Sequence, residues 1–266
     1  MAERGGMTTT TIPADWWQTF FNDDYAFLWS DCFSDTDTQS QAAALWELLD
    51  LHENTRVLDA GCGYGRLSLP IAKMGAVVTG IDQSQNLLAI AERDRSQAPN
   101  GRLRYVHHDL RTRLTDVNFD AALNVFTSIG FGTEEDDLAI LATIHDAIRP
   151  GGKFFLEAIQ RDAVAAFFSR GGTLSRRRPD GILVFEESTF DPIASRLNGT
   201  WYWAGAGTSG VKSASMRIYT IGELIQILES VGFELKGTYL GISIAPFKAE
   251  GAAMGGRIGL LAQRPA

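Results

Sequence analysis

Three glycines within five positions, Gly61, Gly63 and Gly65, close the apolar run Arg56-Val57-Leu58-Asp59-Ala60 and open a helical pattern through Leu67, Leu69, Ile71, Ala72 and Met74. A short apolar run of this kind is what a buried parallel strand shows. Strand, glycine turn and helix in succession make a nucleotide-type site, because glycine bends sharply and admits a ligand with no Cβ in the way. The spacing Gly-x-Gly-x-Gly departs from the Gly-x-Gly-x-x-Gly fingerprint, in which a helix N-terminus receives a pyrophosphate. Asp59 stands two residues before the first glycine. A carboxylate there opposes a pyrophosphate and suits a ligand with an ammonium or sulfonium charge.

A second acid, Asp82, closes the run Ala76-Val77-Val78-Thr79-Gly80-Ile81, and a third, Asp109, follows Leu103-Arg104-Tyr105-Val106. Asp82 lies roughly 20 residues beyond the glycines, where a ribose-binding carboxylate is expected. Three successive strands thus deliver an Asp to one sheet edge, the edge at which open α/β sheets bind ligands.

The stretch Val57-Leu58-Asp59-Ala60-Gly61-Cys62-Gly63-Tyr64-Gly65 resembles motif I of the class I S-adenosylmethionine-dependent methyltransferases. Thr79-Gly80-Ile81-Asp82 resembles their second motif and His108-Asp109-Leu110 their third. Phe119-Asp120-Ala121-Ala122-Leu123-Asn124-Val125-Phe126 resembles the fourth strand, and Arg149-Pro150-Gly151-Gly152-Lys153-Phe154 the turn into the fifth. The match runs in unbroken order over about residues 40 to 160.

The resemblance implies an α/β fold, a Rossmann-like, seven-stranded, mostly parallel sheet with helices on both faces. S-adenosylmethionine is the implied cofactor, with S-adenosylhomocysteine as product. The backbone of Gly61 and Gly63 would lie along its methionine part, with Asp59 near the ammonium. Asp82 would hold both ribose hydroxyls, and Asp109 would meet the adenine amine, with Gln83 and Leu110 flanking the ring. Tyr25, Cys62, Arg66, His108, Asn124 and Phe126 complete the expected cofactor set. Asn124 and the loop after it, Thr127-Ser128-Ile129-Gly130-Phe131-Gly132, would face the transferring methyl group.

The 24 Lys and Arg against 32 Asp and Glu give a formal net charge of -8. That balance argues against a nucleic-acid backbone as partner, since such binding rests on clustered positive charge. The 2 Cys cannot form a disulfide framework, and with 4 His they make a poor metal set. No metal is expected, and Cys62 reads as a small packing residue. No apolar run is long enough to span a bilayer, so no membrane partner is expected and the chain reads as cytoplasmic.

Along the chain, 1–38 reads as a tail, disordered to about Thr11, and an aromatic helical lid. The lid, Asp15 to Trp29, holds Trp16, Trp17, Phe20, Phe21, Tyr25, Phe27 and Trp29, with Asp15 and Asp23 or Asp24 as helix caps. Aromatic faces attract cations and a lid excludes water, which suits a sulfonium donor. The cofactor-binding core spans 39–159, opening on an amphipathic helix over Gln39 to Leu51, and Ser84 caps a helix from about Gln85 to Arg95. The acids Glu134, Glu135, Asp136 and Asp137 crowd a helix start and read as structural. Residues 160–216 read as a small antiparallel β insertion that covers the substrate or contacts a second subunit as a homodimer. Its Arg176-Arg177-Arg178 run reads as a solvated loop, and Trp201, Tyr202 and Trp203 as a substrate wall or an interface. The C-terminal part, 217–266, carries the capping box Thr220-Ile221-Gly222-Glu223, a helix ended by Gly232, and two closing strands, the last inserted antiparallel.

Methyl transfer is an in-line displacement in which the enzyme positions the nucleophile, excludes water and stabilises developing charge. The catalytic residues are left open by the sequence, with Tyr25, Asn124 and Tyr202 as candidates; Glu186 has the chemistry of a base, and His107 and His108 fall on the adenine side. A small-molecule amine is the favoured acceptor. The alternatives are O- or C-methylation of a small natural product, or a methyltransferase fold using the cofactor site without transfer. A nicotinamide oxidoreductase is disfavoured by the glycine spacing and Asp59.

Overall fold

The computed structural model describes residues 12–126, 128–168, 174–247 and 256–266. The sequence expectations on the tail to Thr11 and on Thr127 lie outside these residues. Two short helices, α1 (Trp17–Phe20) and α2 (Asp23–Trp29), precede α3 (Asp35–Leu48). There follow β1 (Arg56–Ala60), α4 (Ser68–Lys73), β2 (Val77–Asp82), α5 (Gln85–Asp94), β3 (Leu103–His107), β4 (Phe119–Asn124), α6 (Glu134–Ala147) and β5 (Ile148–Ile159). Helix α7 (Arg161–Phe168) leads to β6 (Leu174–Arg177), β7 (Leu183–Asp191), β8 (Arg196–Gly205) and β9 (Thr208–Arg217), and α8 (Ile221–Ser230), β10 (Glu234–Leu240) and β11 (Arg257–Gln263) close the chain.

The main sheet has seven strands in the order β10-β11-β5-β4-β1-β2-β3. Strands β1 to β5 are parallel, and β11 is antiparallel to both β5 and β10. The chain order reverses between β1 and β4, which opens a crevice at their carboxyl ends. Period-two alternation divides the strands between two cores. Leu58, Ala60, Ala122, Phe154, Leu156, Ile258 and Leu260 pack under α6 and α8, through Leu141, Ile144, Leu224 and Leu228. Val57, Val78, Ala121, Leu123, Phe155 and Leu261 pack under α3 and α4, through Ala42, Leu45, Leu67 and Ile71. Helices therefore cover both faces, as expected. None among the described residues is long and apolar enough to cross a membrane.

Local signals explain most helix starts. Ser84 accepts the Leu87 N–H, and Thr220 with Glu223 forms a reciprocal capping box. Three starts differ from expectation. Helix α2 is capped by Asn22, which accepts from Tyr25 N, and α1 has no side-chain cap, so Asp15, Asp23 and Asp24 do not serve there. Helix α3 begins at Asp35 because Ser34 and Asp37 form a capping box upstream of the apolar face, which begins only at Ala42. The crowded acids are structural: Asp136 caps α6 with Thr133, and buried Asp137 accepts from Gly130 N and the Tyr219 hydroxyl.

The insertion is a separate antiparallel sheet, β6-β7-β8-β9. It is tied to the N-terminal helices by its arginines, which corrects the reading of a solvated loop. Arg178 is 6% exposed and stacks over the Phe27 ring at 4.3 Å. Its Nη1 donates to Phe27 O at 2.5 Å and pairs with Asp31 at 2.8 Å, and Arg176 pairs with the same carboxylate at 2.6 Å. Trp16 Nε1 donates to Ser215 O, and Lys212 Nζ donates to Phe20 O, both at 2.8 Å. Only Arg177 of the run is fully exposed.

Candidate active site

The crevice at the β1/β4 switch point is walled by the glycine turn, the ends of β2 and β3, and the N-terminal helices. Its cavity volume is about 150 Å³. Its lining includes Tyr25, Asp59, Gly61, Cys62, Gly63, Arg66, Asp82, Gln83, His108, Asp109, Leu110 and Phe126. Twelve of the thirteen expected cofactor residues thus converge on one cleft. The exception is Asn124.

The turn works because its glycines are left-handed. Gly61 has φ +79°, and a Cβ there would lie 2.6 Å from Ser128 Oγ. Gly65 has φ +80°, and a Cβ there would run into the Tyr105 hydroxyl. The turn is held by Asp82, whose Oδ2 accepts Gly63 N–H at 2.8 Å while Oδ1 accepts Ser84 N–H at 2.8 Å. Burial lifts the Asp82 carboxyl above its usual value, and the N–H groups of Ser84, Gly63 and Gln83 pull it back. Asp59 is 2% exposed and accepts from Ser68 Oγ at 2.5 Å. Burial pushes it up to about 6, opposed by the Ser68 bond and reinforced by neighbouring Asp82. A cationic group in the cleft would relieve both carboxylates, so these residues fit a sulfonium cofactor with an ammonium tail.

A raised carboxyl binds protons in the folded protein that the unfolded chain has already released, so stability falls as pH rises through this window. Unfolding by urea from pH 4 to 7 is expected to show stability dropping toward pH 6 and above, and Asp59→Asn removing most of that slope. An unchanged slope in the variant would place the titration elsewhere.

Asp109 lines the cleft with its carboxylate already engaged by Arg111, Nη2 to Oδ2 at 2.7 Å. This pairing holds it below the usual carboxylate range. An adenine amine would share that carboxylate with Arg111, which also reaches Asp136 and lies over the Trp17 ring at 4.8 Å. Arg66 lies over the Phe33 ring at 4.0 Å and donates to Gln41.

Two catalytic candidates are corrected. Asn124 is 0% exposed and lines no cavity; its amide donates to Ala60 O at 2.7 Å behind the glycine turn. Strand alternation places it with Ala122 on the α6 and α8 side of the sheet, directly behind Gly61. Tyr202 is 43% exposed, on the outer face of β8 level with Phe185 and Val211. Its neighbours Trp201 and Trp203 point inward, Trp201 into a cavity and Trp203 against Leu28 and Val184.

That second cavity, about 470 Å³, lies between the N-terminal helices and the insertion. Phe21, Tyr25, Phe126 and Phe131 line both spaces and form the wall between them. Tyr25 is buried and stacked on Trp29 at 4.7 Å, and burial drives its hydroxyl well above the usual range. Phe126 holds a left-handed backbone, φ +62°, and such strain gathers at functional sites. Its N–H donates to buried Glu157 at 2.7 Å, and Arg257, paired with Glu157, lies over its ring at 5.0 Å. Residues from the insertion and α7 that line this cavity, such as Leu197, Met216 and Val164, carried no sequence signal. Phe21 and Trp17 were marked by the aromatic density of the N-terminal segment.

Residues 57–152 match a family model described as a methyltransferase domain. The mitochondrial ubiquinone biosynthesis O-methyltransferase of Schizosaccharomyces pombe is 31% identical over 114 residues, 41% of this chain and 40% of that protein. The chain thus spans less than half the length of the first curated relatives it matches, 40% and 44%. Among solved structures, the CcbJ methyltransferase from Streptomyces caelestis superposes with a TM-score of 0.77 at 19% identity, covering 94% of this chain and 99% of that one. CalS10, an amino pentose methyltransferase from Micromonospora echinaspora with S-adenosylmethionine bound, has a TM-score of 0.63 at 22% identity, covering 91% and 95%.

Proposed function

We propose that this chain, which belongs by fold and by its residues 57–152 to the class I S-adenosylmethionine-dependent methyltransferases, methylates a nitrogen of a small-molecule acceptor. The observation that carries the reading is the shared wall. A cleft with a buried carboxylate, Asp59, and a half-buried one, Asp82, meets an aromatic cavity across Phe21, Tyr25, Phe126 and Phe131.

S-adenosylmethionine supplies an electrophilic methyl group on a sulfonium. Asp59 would neutralise its ammonium, Asp82 would hold its ribose hydroxyls, and the N–H groups of the Gly61–Gly65 turn would line its tail. Tyr25 and Phe126 face the transferring group, exclude water and attract the positive charge on either side. The Glu157–Arg257 pair positions Phe126. A neutral amine would form its bond to the methyl carbon as the carbon–sulfur bond breaks, with S-adenosylhomocysteine leaving and the product ammonium losing its proton to solvent. No strong base is required, so the role of these residues is orientation and desolvation. The enclosed cavity and the net charge of -8 favour a small acceptor over nucleic acid. The glycopeptide N-methyltransferase MtfA, similar in fold, supports nitrogen, whereas the ubiquinone relatives are O-methyltransferases. Incubation with methyl-labelled S-adenosylmethionine and matched panels of lipophilic amines and phenols tests the choice. Label on amines alone supports nitrogen; label on phenols alone overturns it.

We also assign the outer face of the insertion to a second copy of the chain. Leu183, Phe185, Tyr202 and Val211 are exposed there, with Phe185, Tyr202 and Val211 in one cross-strand row. Sedimentation is expected to give a dimer that Tyr202→Lys converts to monomer; a monomeric parent protein contradicts this. The exposed thiol of Cys32 accords with a reducing, cytoplasmic location.

A further inference from the structure

Glu186 stands apart in the second cavity. It lies on β7 directly opposite Trp201 of β8 and Leu174 of β6, both cavity residues. Its Oε1 accepts a hydrogen bond from Ser188 Oγ at 2.6 Å. Among the described residues it has no ion-pair partner. Among the described lining residues the other charged one, Arg257, is paired with Glu157. Lys212, two strands away in the same row, is bound to Phe20 O and lies over the Phe20 ring at 5.1 Å. The remaining wall is apolar, dominated by Phe20, Trp29, Trp201, Leu197 and Met216.

Half-buried in the cavity wall and holding one hydrogen bond from Ser188, the carboxylate keeps free acceptor capacity for a cationic ligand. The rings around it attract the same charge, because Trp and Phe faces are electron-rich. Trp201 sits 5.5 Å from Trp29 and 5.8 Å from Phe20, ring centre to ring centre, so carboxylate and aromatic faces converge on one space. We infer that Glu186 is the specificity residue of the second cavity and selects lipophilic molecules that carry a cationic nitrogen. Calling that occupant the methyl acceptor rests on the methyltransferase reading and requires its ammonium to lose a proton to solvent before the nitrogen attacks; the charge selectivity requires neither.

The test uses phenyltrimethylammonium and its uncharged isostere tert-butylbenzene, read by tryptophan fluorescence of the full chain saturated with S-adenosylhomocysteine. The cation is expected to bind the parent protein at least about tenfold more tightly than the isostere. In Glu186→Gln that preference falls to about twofold or less, while S-adenosylhomocysteine affinity and the thermal midpoint stay unchanged. Glu186→Ala serves as a second variant and is expected to behave alike. Equal binding of the two probes by the parent protein overturns the inference, as does a preference that survives both substitutions. Failure of S-adenosylhomocysteine to bind the parent protein sinks the methyltransferase reading instead, and the probe ratio, then measured without it, still decides the role of Glu186.

Discussion

Replacing Asp82 by alanine is expected to weaken S-adenosylhomocysteine binding by at least about a hundredfold, because two hydroxyl-to-carboxylate bonds, each worth about 1.5–3 kcal/mol, are lost together. The carboxylate sits at the end of β2 in the cleft, with one oxygen on the Gly63 N–H and the other on the Ser84 N–H. Removing it loses the ribose contacts and frees the middle of the glycine turn. Asp82→Asn keeps one acceptor oxygen and is expected to fall between the two, near a tenfold loss. Calorimetric titration of the three proteins, each checked for an unchanged circular-dichroism spectrum, gives the series. Equal affinities across it would remove Asp82 from the site.

The largest stability effect is expected at Arg178. Its guanidinium is buried, paired with Asp31 and Asp180, and bonded to the carbonyls of Phe27 and Leu28. Arg178→Ala strands those acceptors and leaves Asp31 to Arg176 alone, so urea unfolding is expected to lose about 3–5 kcal/mol. Lysine will not rescue it, since one ammonium cannot make the forked set of bonds or the stack on Phe27. Hydrogen exchange should quicken first over α2, which this side chain pins to the insertion. A loss below about 1 kcal/mol, the value of an exposed pair, would contradict this anchoring role.

How far the sequence could be read follows from where each signal originates. The main sheet was legible because five strands are apolar runs closed by glycine turns or acids, and each motif fixes its own strand end. The capping box at Thr220 and Glu223 was legible because it is purely local. Arg178 was not: its partners, Asp31 and the Phe27 and Leu28 carbonyls, lie about 150 residues away in the chain, and nothing local distinguishes it from exposed Arg177. The phase of an aromatic strand was equally hidden. Trp201, Tyr202 and Trp203 are all large, and only the packing of β8 shows that Tyr202 faces outward. Asn124 was misplaced by the same kind of ambiguity, because a polar residue closing a strand can point into the cleft or back beneath the turn. The strand-end residues that line the cleft were legible; the cavity wall contributed by α7 and the insertion was not, since its residues come from remote segments that carry no motif.

The central claim is that the β1/β4 cleft binds an adenosyl sulfonium donor, and calorimetric titration of the purified protein with S-adenosylmethionine, S-adenosylhomocysteine and NADH tests it most directly. The account predicts tight binding of both adenosyl compounds, with affinity for S-adenosylmethionine rising as pH passes through about 6 and Asp59 ionises, and no response to NADH. Silence from both adenosyl compounds together with binding of NADH would contradict it.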